Sequence, residues 1–206
     1  MANLLLSRLR AGSLALAFSL PAGAQNGGEP QELLLDSESL TFDGQTNLFE
    51  LGGLAITQGN LRIEADEAQA TGIDFDQRSE WRFTGNVRIT VDSAVIGADS
   101  AVFTFDNKRL SRGELQGAPV TFTHREPERA KPLSGTANSM IYDHLARTLR
   151  MQNGRLERDR TEIRGCDLIY NFTTEGIASG DADCENPFRL RVLSDPGEQT
   201  SAPTPQ

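Results

Sequence analysis

The sequence predicts an all-β chain assembled from a repeated strand unit, and three observations predict it. Apolar and polar residues alternate in short runs: Leu54-Ala-Ile56, Leu61-Arg-Ile63, Val87-Arg-Ile89-Thr-Val91, Phe103-Thr-Phe105 and Met140-Ile-Tyr142. Alternation is the pattern of a strand with one buried face, and no long stretch carries the helical period. Turn-forming residues punctuate the runs at Gln58-Gly59-Asn60, Gly85-Asn86, Asp106-Asn107, Gly117-Ala-Pro119 and Asn153-Gly154. The motif Ile63-Glu-Ala-Asp-Glu-Ala68 returns as Ile96-Gly-Ala-Asp-Ser-Ala101.

From the start of the chain, Arg8 and Arg10 precede an apolar run from Ala11 to Leu20, followed by Pro21 and Ala22-Gly23-Ala24. That is the layout of a secretory signal peptide over residues 1–24. The run is shorter than the ~20 residues of a membrane-spanning helix, and Gln25 stands where a lipoprotein would carry cysteine. A flexible segment (25–31) leads into the β domain (32–193). The stretch SDPGEQTSAPTPQ (194–206) has almost nothing to bury and is predicted to be a disordered tail.

Within the domain, Glu38, Asp66, Asp99, Asn138 and Asp167 recur about 30 to 40 residues apart, each after a small or β-compatible residue. Those residues are Ser37, Ala65, Ala98, Ala137 and Cys166. The physical reading is a corner where one strand turns into the next, its side chain capping a backbone amide. A catalytic ladder of carboxylates would need convergence in a cleft.

Composition narrows function. A net charge of -9 disfavours nucleic acid as a partner. Cys166 and Cys184 have no neighbouring Cys or His at metal spacing, so no metal site or cofactor is expected; in an exported chain they form a disulfide. Both lie equally far from Glu175, so a hairpin there would bring them opposite one another. The only histidines, His124 and His144, sit in polar, turn-like contexts, which argues against an enzyme.

The stretches LAITQGNLRIEADEA (54–68), GAPVTFTH (117–124), SGTANSMIYD (134–143) and LRMQNGRLERDRTEIRGCDLIY (149–170) resemble, in that order, the repeats of the OstA-like lipopolysaccharide-transport family. The resemblance covers Leu33 to Val192 and is nearest to the family's soluble periplasmic bridge member. Two features depart from it: Gln152-Asn153-Gly154 replaces an expected Gly-Asn pair, and the cysteines are not a family hallmark.

The resemblance implies an open β-jellyroll, a V-shaped pair of antiparallel sheets whose inner faces hold the acyl chains of lipid A in the periplasm. It assigns lipid binding to Leu33, Leu35, Leu54, Ile56, Ile63, Phe83, Ile89, Phe103, Phe122, Met140 and Tyr142. Leu61, Trp81, Val87, Phe105, Val120 and Leu168 complete the candidate interior. From the residues alone, alternation puts one row of side chains inside and favours a filled core over an open groove; the resemblance shifts the balance towards the groove.

By the same resemblance the first strand, with Leu34 and Asp36, meets an LptC-like inner-membrane protein. The last, with Phe188, Leu190 and Val192, meets an LptD-like outer-membrane protein, and head-to-tail self-association is allowed. Arg82, Arg88, Arg150 and Arg155 would pair with lipid phosphates if they line the rim; otherwise they are solvated surface. The alternatives are a membrane-anchored LptC-like relative and a structural β module without lipid cargo.

Overall fold

The computed structural model describes residues 32–72, 77–126, 128–129, 131–180, 184 and 188–193. The expected leader, the 25–31 segment and the tail lie outside the described residues. Those described form strands and turns with no helix. The strands are β1 (Leu33–Asp36), β2 (Ser39–Asp43), β3 (Leu48–Gln58), β4 (Leu61–Thr71), β5 (Ser79–Val91), β6 (Ala94–Asp106), β7 (Arg109–His124), β8 (Leu133–Asp143), β9 (Thr148–Arg158), β10 (Thr161–Asn171), β11 (Gly176–Ser179) and β12 (Arg189–Val192).

Every ladder is antiparallel, and from β3 to β11 each strand pairs with the next in sequence. At either edge two short strands share one neighbour. β1 lies along the second half of β3 and β2 along its first half. β11 and β12 divide β10 in the same way. The pair of sheets expected from the sequence is therefore one continuous hydrogen-bonded sheet, folded to make the open jellyroll.

Turns fall between strands near the predicted Gln58-Gly59-Asn60 and Asp106-Asn107, at Gly59-Asn60 and one residue later at Asn107-Lys108, where both residues have the positive φ of a two-residue hairpin. Gly85-Asn86, Gly117-Ala-Pro119 and Asn153-Gly154 do not. They lie inside β5, β7 and β9, where the chain bulges and continues. Register shifts between Thr84 and Val87 and between Gln116 and Val120, and Asn153 has a φ of 51°. A residue able to adopt positive φ serves a mid-strand bulge as readily as a turn.

Most of the acidic and amide positions are corrected in the same way. Glu38 joins β1 to β2 as expected, whereas Asp66, Asp99, Asn138 and Asp167 are corners within β4, β6, β8 and β10 and not between successive strands. Glu38, between β1 and β2, lies against Gly53, where an added Cβ would meet its side chain at 2.6 Å. Asp66 accepts a hydrogen bond from Asn86 Nδ2 (2.8 Å). Asp99 accepts one from the Ala118 amide (3.0 Å), the backbone capping that was expected. Asn138 faces Asn153-Gly154, within the gap between the pairs Thr136↔Arg155 and Ser139↔Gln152.

The recurrent motif encodes this corner. In β4 the inward positions run Leu61, Ile63, Ala65 and then Ala68, Ala70, so Asp66 and Glu67 both face out. Ile-x-Ala-Asp-x-Ala thus spells a one-residue slip in the inside–outside alternation, with small side chains on both sides of the crowded bend. β8 repeats it with Gly135, Ala137 and then Met140, Tyr142.

Aligned across the sheet, the bulges form a crease, and folding about it brings opposite strand ends together. Gln58, ending β3, donates from Nε2 to Lys108 O in the β6–β7 turn (2.6 Å). Asp92 of the β5–β6 turn meets Arg147 of the β8–β9 turn (2.5 Å). Within this fold the aromatics interlock, Phe83 edge-on to Phe103 at 4.8 Å and Trp81 to Phe105 at 6.3 Å.

Candidate functional site

Folding the sheet brings the predicted lipid-binding positions onto one face. Leu54, Ile56, Ile63, Phe83, Ile89, Phe103, Phe122, Met140 and Tyr142 join a single buried cluster, none more than 1% exposed. Leu33 and Leu35 of β1 are half-buried at its margin, and Ile163, Phe172 and Ile177 close the other end. Of the two arrangements the sequence left open, this conformation is the filled one. An apolar guest enters it only by displacing side chains or parting the folded sheet.

Opposite the crease runs a seam held by side chains. Gln58 is buried and also accepts from the Leu110 amide (3.4 Å). Asp92 binds both Arg147 and Asn60. His124 Nδ1 lies 2.7 Å from the Tyr170 hydroxyl, which also donates to Glu126 (3.5 Å). Glu126, with its side chain 1% exposed, pairs with Arg158 and with Arg129 (3.4 Å).

Of the two histidines, His144 lies in the β8–β9 turn as expected, partly buried, whereas His124 is not a turn residue. His124 ends β7, buried against Tyr170 and Phe172, and His144 is hydrogen-bonded to Tyr142 (3.0 Å). Burial lowers the pKa of both, outweighing the pull of Glu126 on His124. Burial pushes Tyr142 up to about 12 and raises Tyr170 further, with Glu126 adding to it. Burial also opposes the Glu126 charge, but the Arg158 hydrogen bond prevails and holds its pKa below the ordinary value.

The family model described as "LptA/(LptD N-terminal domain) LPS transport protein" matches residues 69–176, which is just over half of the chain and includes β5 to β10. The chain belongs to this lipopolysaccharide-transport family. It is similar to the lipopolysaccharide export system protein LptA of Escherichia coli (strain K12), 26% identical over 161 residues, 77% of this chain and 69% of the relative. The LptA of Haemophilus influenzae is 31% identical over 105 residues, 49% of this chain and only 60% of the relative's length. In fold it is similar to the crystal structure of LptH, "the LptA homologous periplasmic component of the conserved lipopolysaccharide transport device from Pseudomonas aeruginosa". That match has a TM-score of 0.50 at 9% identity and covers 80% of this chain and 96% of the other.

In this member of the LptA/LptD N-terminal-domain family the interior reaches both edges. Leu40 and Phe42, which the sequence reading passed over, stand on β2 opposite Leu51 and Phe49, and Phe42 stacks on Phe49 at 4.4 Å. Both are more than half exposed, so they extend the apolar face past the last buried row. The Leu40-Thr-Phe42 alternation was the available signal. At the far edge Leu190 stands opposite the half-buried Ile163.

Of the predicted edge positions, Leu34 projects outward opposite Thr57, and Asp36, Phe188, Leu190 and Val192 are exposed. Arg150 is held by Asp167 through two hydrogen bonds (2.7 and 2.5 Å), and Arg155 by Glu157 and Glu162. Arg82 and Arg88 are exposed on β5. Among the described residues no cluster of His, Cys, Asp or Glu could hold a metal ion.

Cys166 and Cys184 form a disulfide with Cα atoms 6.1 Å apart. The hairpin geometry expected for it is different. Leu168 pairs with Ser179, the last residue of β11, so the β10–β11 ladder ends before it reaches Cys166. The bond instead ties the connection between β11 and β12 to the corner of β10.

Proposed function

We propose that this protein is a periplasmic lipopolysaccharide carrier, part of a bridge from the inner to the outer membrane, with no catalytic role. Acyl chains occupy the interior among Leu33, Leu35, Leu54, Ile56, Ile63, Phe83, Ile89, Phe103, Phe122, Met140 and Tyr142. The observation that carries this reading is an apolar interior running from β1 to β11 and ending at both edges in exposed apolar side chains on edge strands. A neighbour adding its strand at either edge prolongs the sheet and the apolar face together.

The chemistry suits transport. Each methylene buried is worth ~0.8 kcal/mol and needs no directional partner, so a chain slides without crossing a specific barrier. The seam is held by side-chain contacts while the crease is held by backbone ladders, so the seam is where the interior opens. The first edge, with Leu34 and Asp36, takes an LptC-like partner. The last, with Phe188, Leu190 and Val192, takes an LptD-like partner or a second copy of this chain.

A photoreactive residue at Phe122 is expected to capture lipopolysaccharide in cells, while one at the exposed Arg125 is not. Equal capture at both positions refutes the interior assignment.

A further inference from the structure

An unusual rung of charge crosses the outer face of β9, β10 and β12. Arg164 lies directly opposite Arg155 on one side and Arg189 on the other. Like charges placed directly opposite destabilise a sheet, and this rung stands in a chain of net charge -9. Glu162, on the next rung, offsets part of it. Its carboxylate accepts from Arg164 Nε (2.7 Å) and pairs with Arg155 (2.6 Å), and Arg155 also reaches Glu157 (2.9 Å). Arg189 has no ion pair among the described residues.

The three arginines line an open cleft of about 530 Å³, together with the half-exposed Phe188 and with Gly154 and Gly165. Arg191, across from Glu162, adds a fourth positive charge against the two carboxylates. Among the described residues the excess is positive, the guanidinium forks are suited to bidentate oxygen anions, and an aromatic face lies alongside.

We propose that this cleft binds a phosphate-bearing group, which on the carrier reading is the phosphorylated sugar headgroup of the lipid whose acyl chains fill the interior. β12 is an edge strand, about 5 Å wide. Its Leu190 faces the interior beside Ile163, while alternation turns Arg189 to the other face. One lipid lying across this edge sets hydrocarbon against Leu190 and phosphate against the arginine rung. The cleft therefore holds the headgroup at the edge where cargo passes to the next protein.

Inorganic pyrophosphate titrated into the mature full chain, with arginine Nε–H signals followed by NMR, reads the site without lipid. Signals of Arg164 and Arg189 should move and that of Arg82 should not. Arg189→Gln, which leaves the Glu162 pairs intact, should weaken pyrophosphate binding by about tenfold. Absence of shifts at Arg164 and Arg189 at millimolar pyrophosphate overturns the anion site. With lipid, the wild type should bind lipopolysaccharide more tightly than its dephosphorylated form, and Arg189→Gln should narrow that gap while leaving uptake of a neutral acyl probe unchanged. Equal wild-type affinity for the two lipids overturns the headgroup assignment. Pyrophosphate binding at the rung without any uptake of the acyl probe refutes the carrier reading and leaves the anion site standing.

Discussion

Replacing Arg158 by Met should destabilise the fold by about 3 kcal/mol at neutral pH, the lower end of the range for breaking a buried ion pair. The Glu126 side chain is 1% exposed and that of Arg158 is 21% exposed, so the substitution leaves a buried carboxylate whose remaining partners are the largely exposed Arg129, the Tyr170 hydroxyl and the Glu175 carboxyl. The sign of its pH dependence follows from the present balance. In the wild type the Glu126 pKa is lowered, so its contribution is present above the unfolded value of about 4.3 and lost as pH falls through the folded one. Without Arg158 burial dominates and the folded pKa rises. The variant therefore gains on the wild type as the solution is acidified, and the destabilisation shrinks between pH 7 and pH ~4. Urea unfolding followed by the fluorescence of the single tryptophan, Trp81, measures both quantities. The double variant Glu126→Leu/Arg158→Met should return close to wild-type stability, because no unpaired charge remains. A loss below ~1 kcal/mol for Arg158→Met, or one independent of pH, refutes the buried-pair account of the seam.

Gly85→Ala should destabilise by at least ~1–2 kcal/mol, since φ is +75° and the new Cβ would come within 2.5 Å of Asp66 Oδ2; pairing it with Asp66→Ala should recover only the steric share in the same urea assay. Phe103→Ala removes a fully buried ring packed on Phe83 and should cost about 3–5 kcal/mol, read as a fall in the urea midpoint at constant slope. Replacing Cys166 and Cys184 by Ser opens a loop of sequence separation 18 and should lower stability by about 3 kcal/mol on chain-entropy reasoning. Two reactive thiols in unreduced, denatured wild-type protein would remove the basis for that figure.

The strands themselves were legible because the inside–outside period is local. Leu54-Ala-Ile56 or Met140-Ile-Tyr142 alternates whatever lies across the ladder, and each run lies in a strand. The same locality explains the misplaced turns. Gly85-Asn86 and Asn153-Gly154 announce positive φ, and the sequence does not say whether the chain then reverses or merely bulges; only a partner strand that continues past the irregularity decides it. His124 shows the limit most plainly. Its neighbours Thr123 and Arg125 are polar and exposed, yet its ring is buried against Tyr170, 46 positions away in the sequence. Strand content, the recurrent corner and the apolar row were thus determined by residues within a few positions of one another. The crease, the seam, the filled state of the interior and the arginine rung were decided by tertiary structure, because each depends on which distant strands lie side by side and on how the sheet closes over its own apolar face.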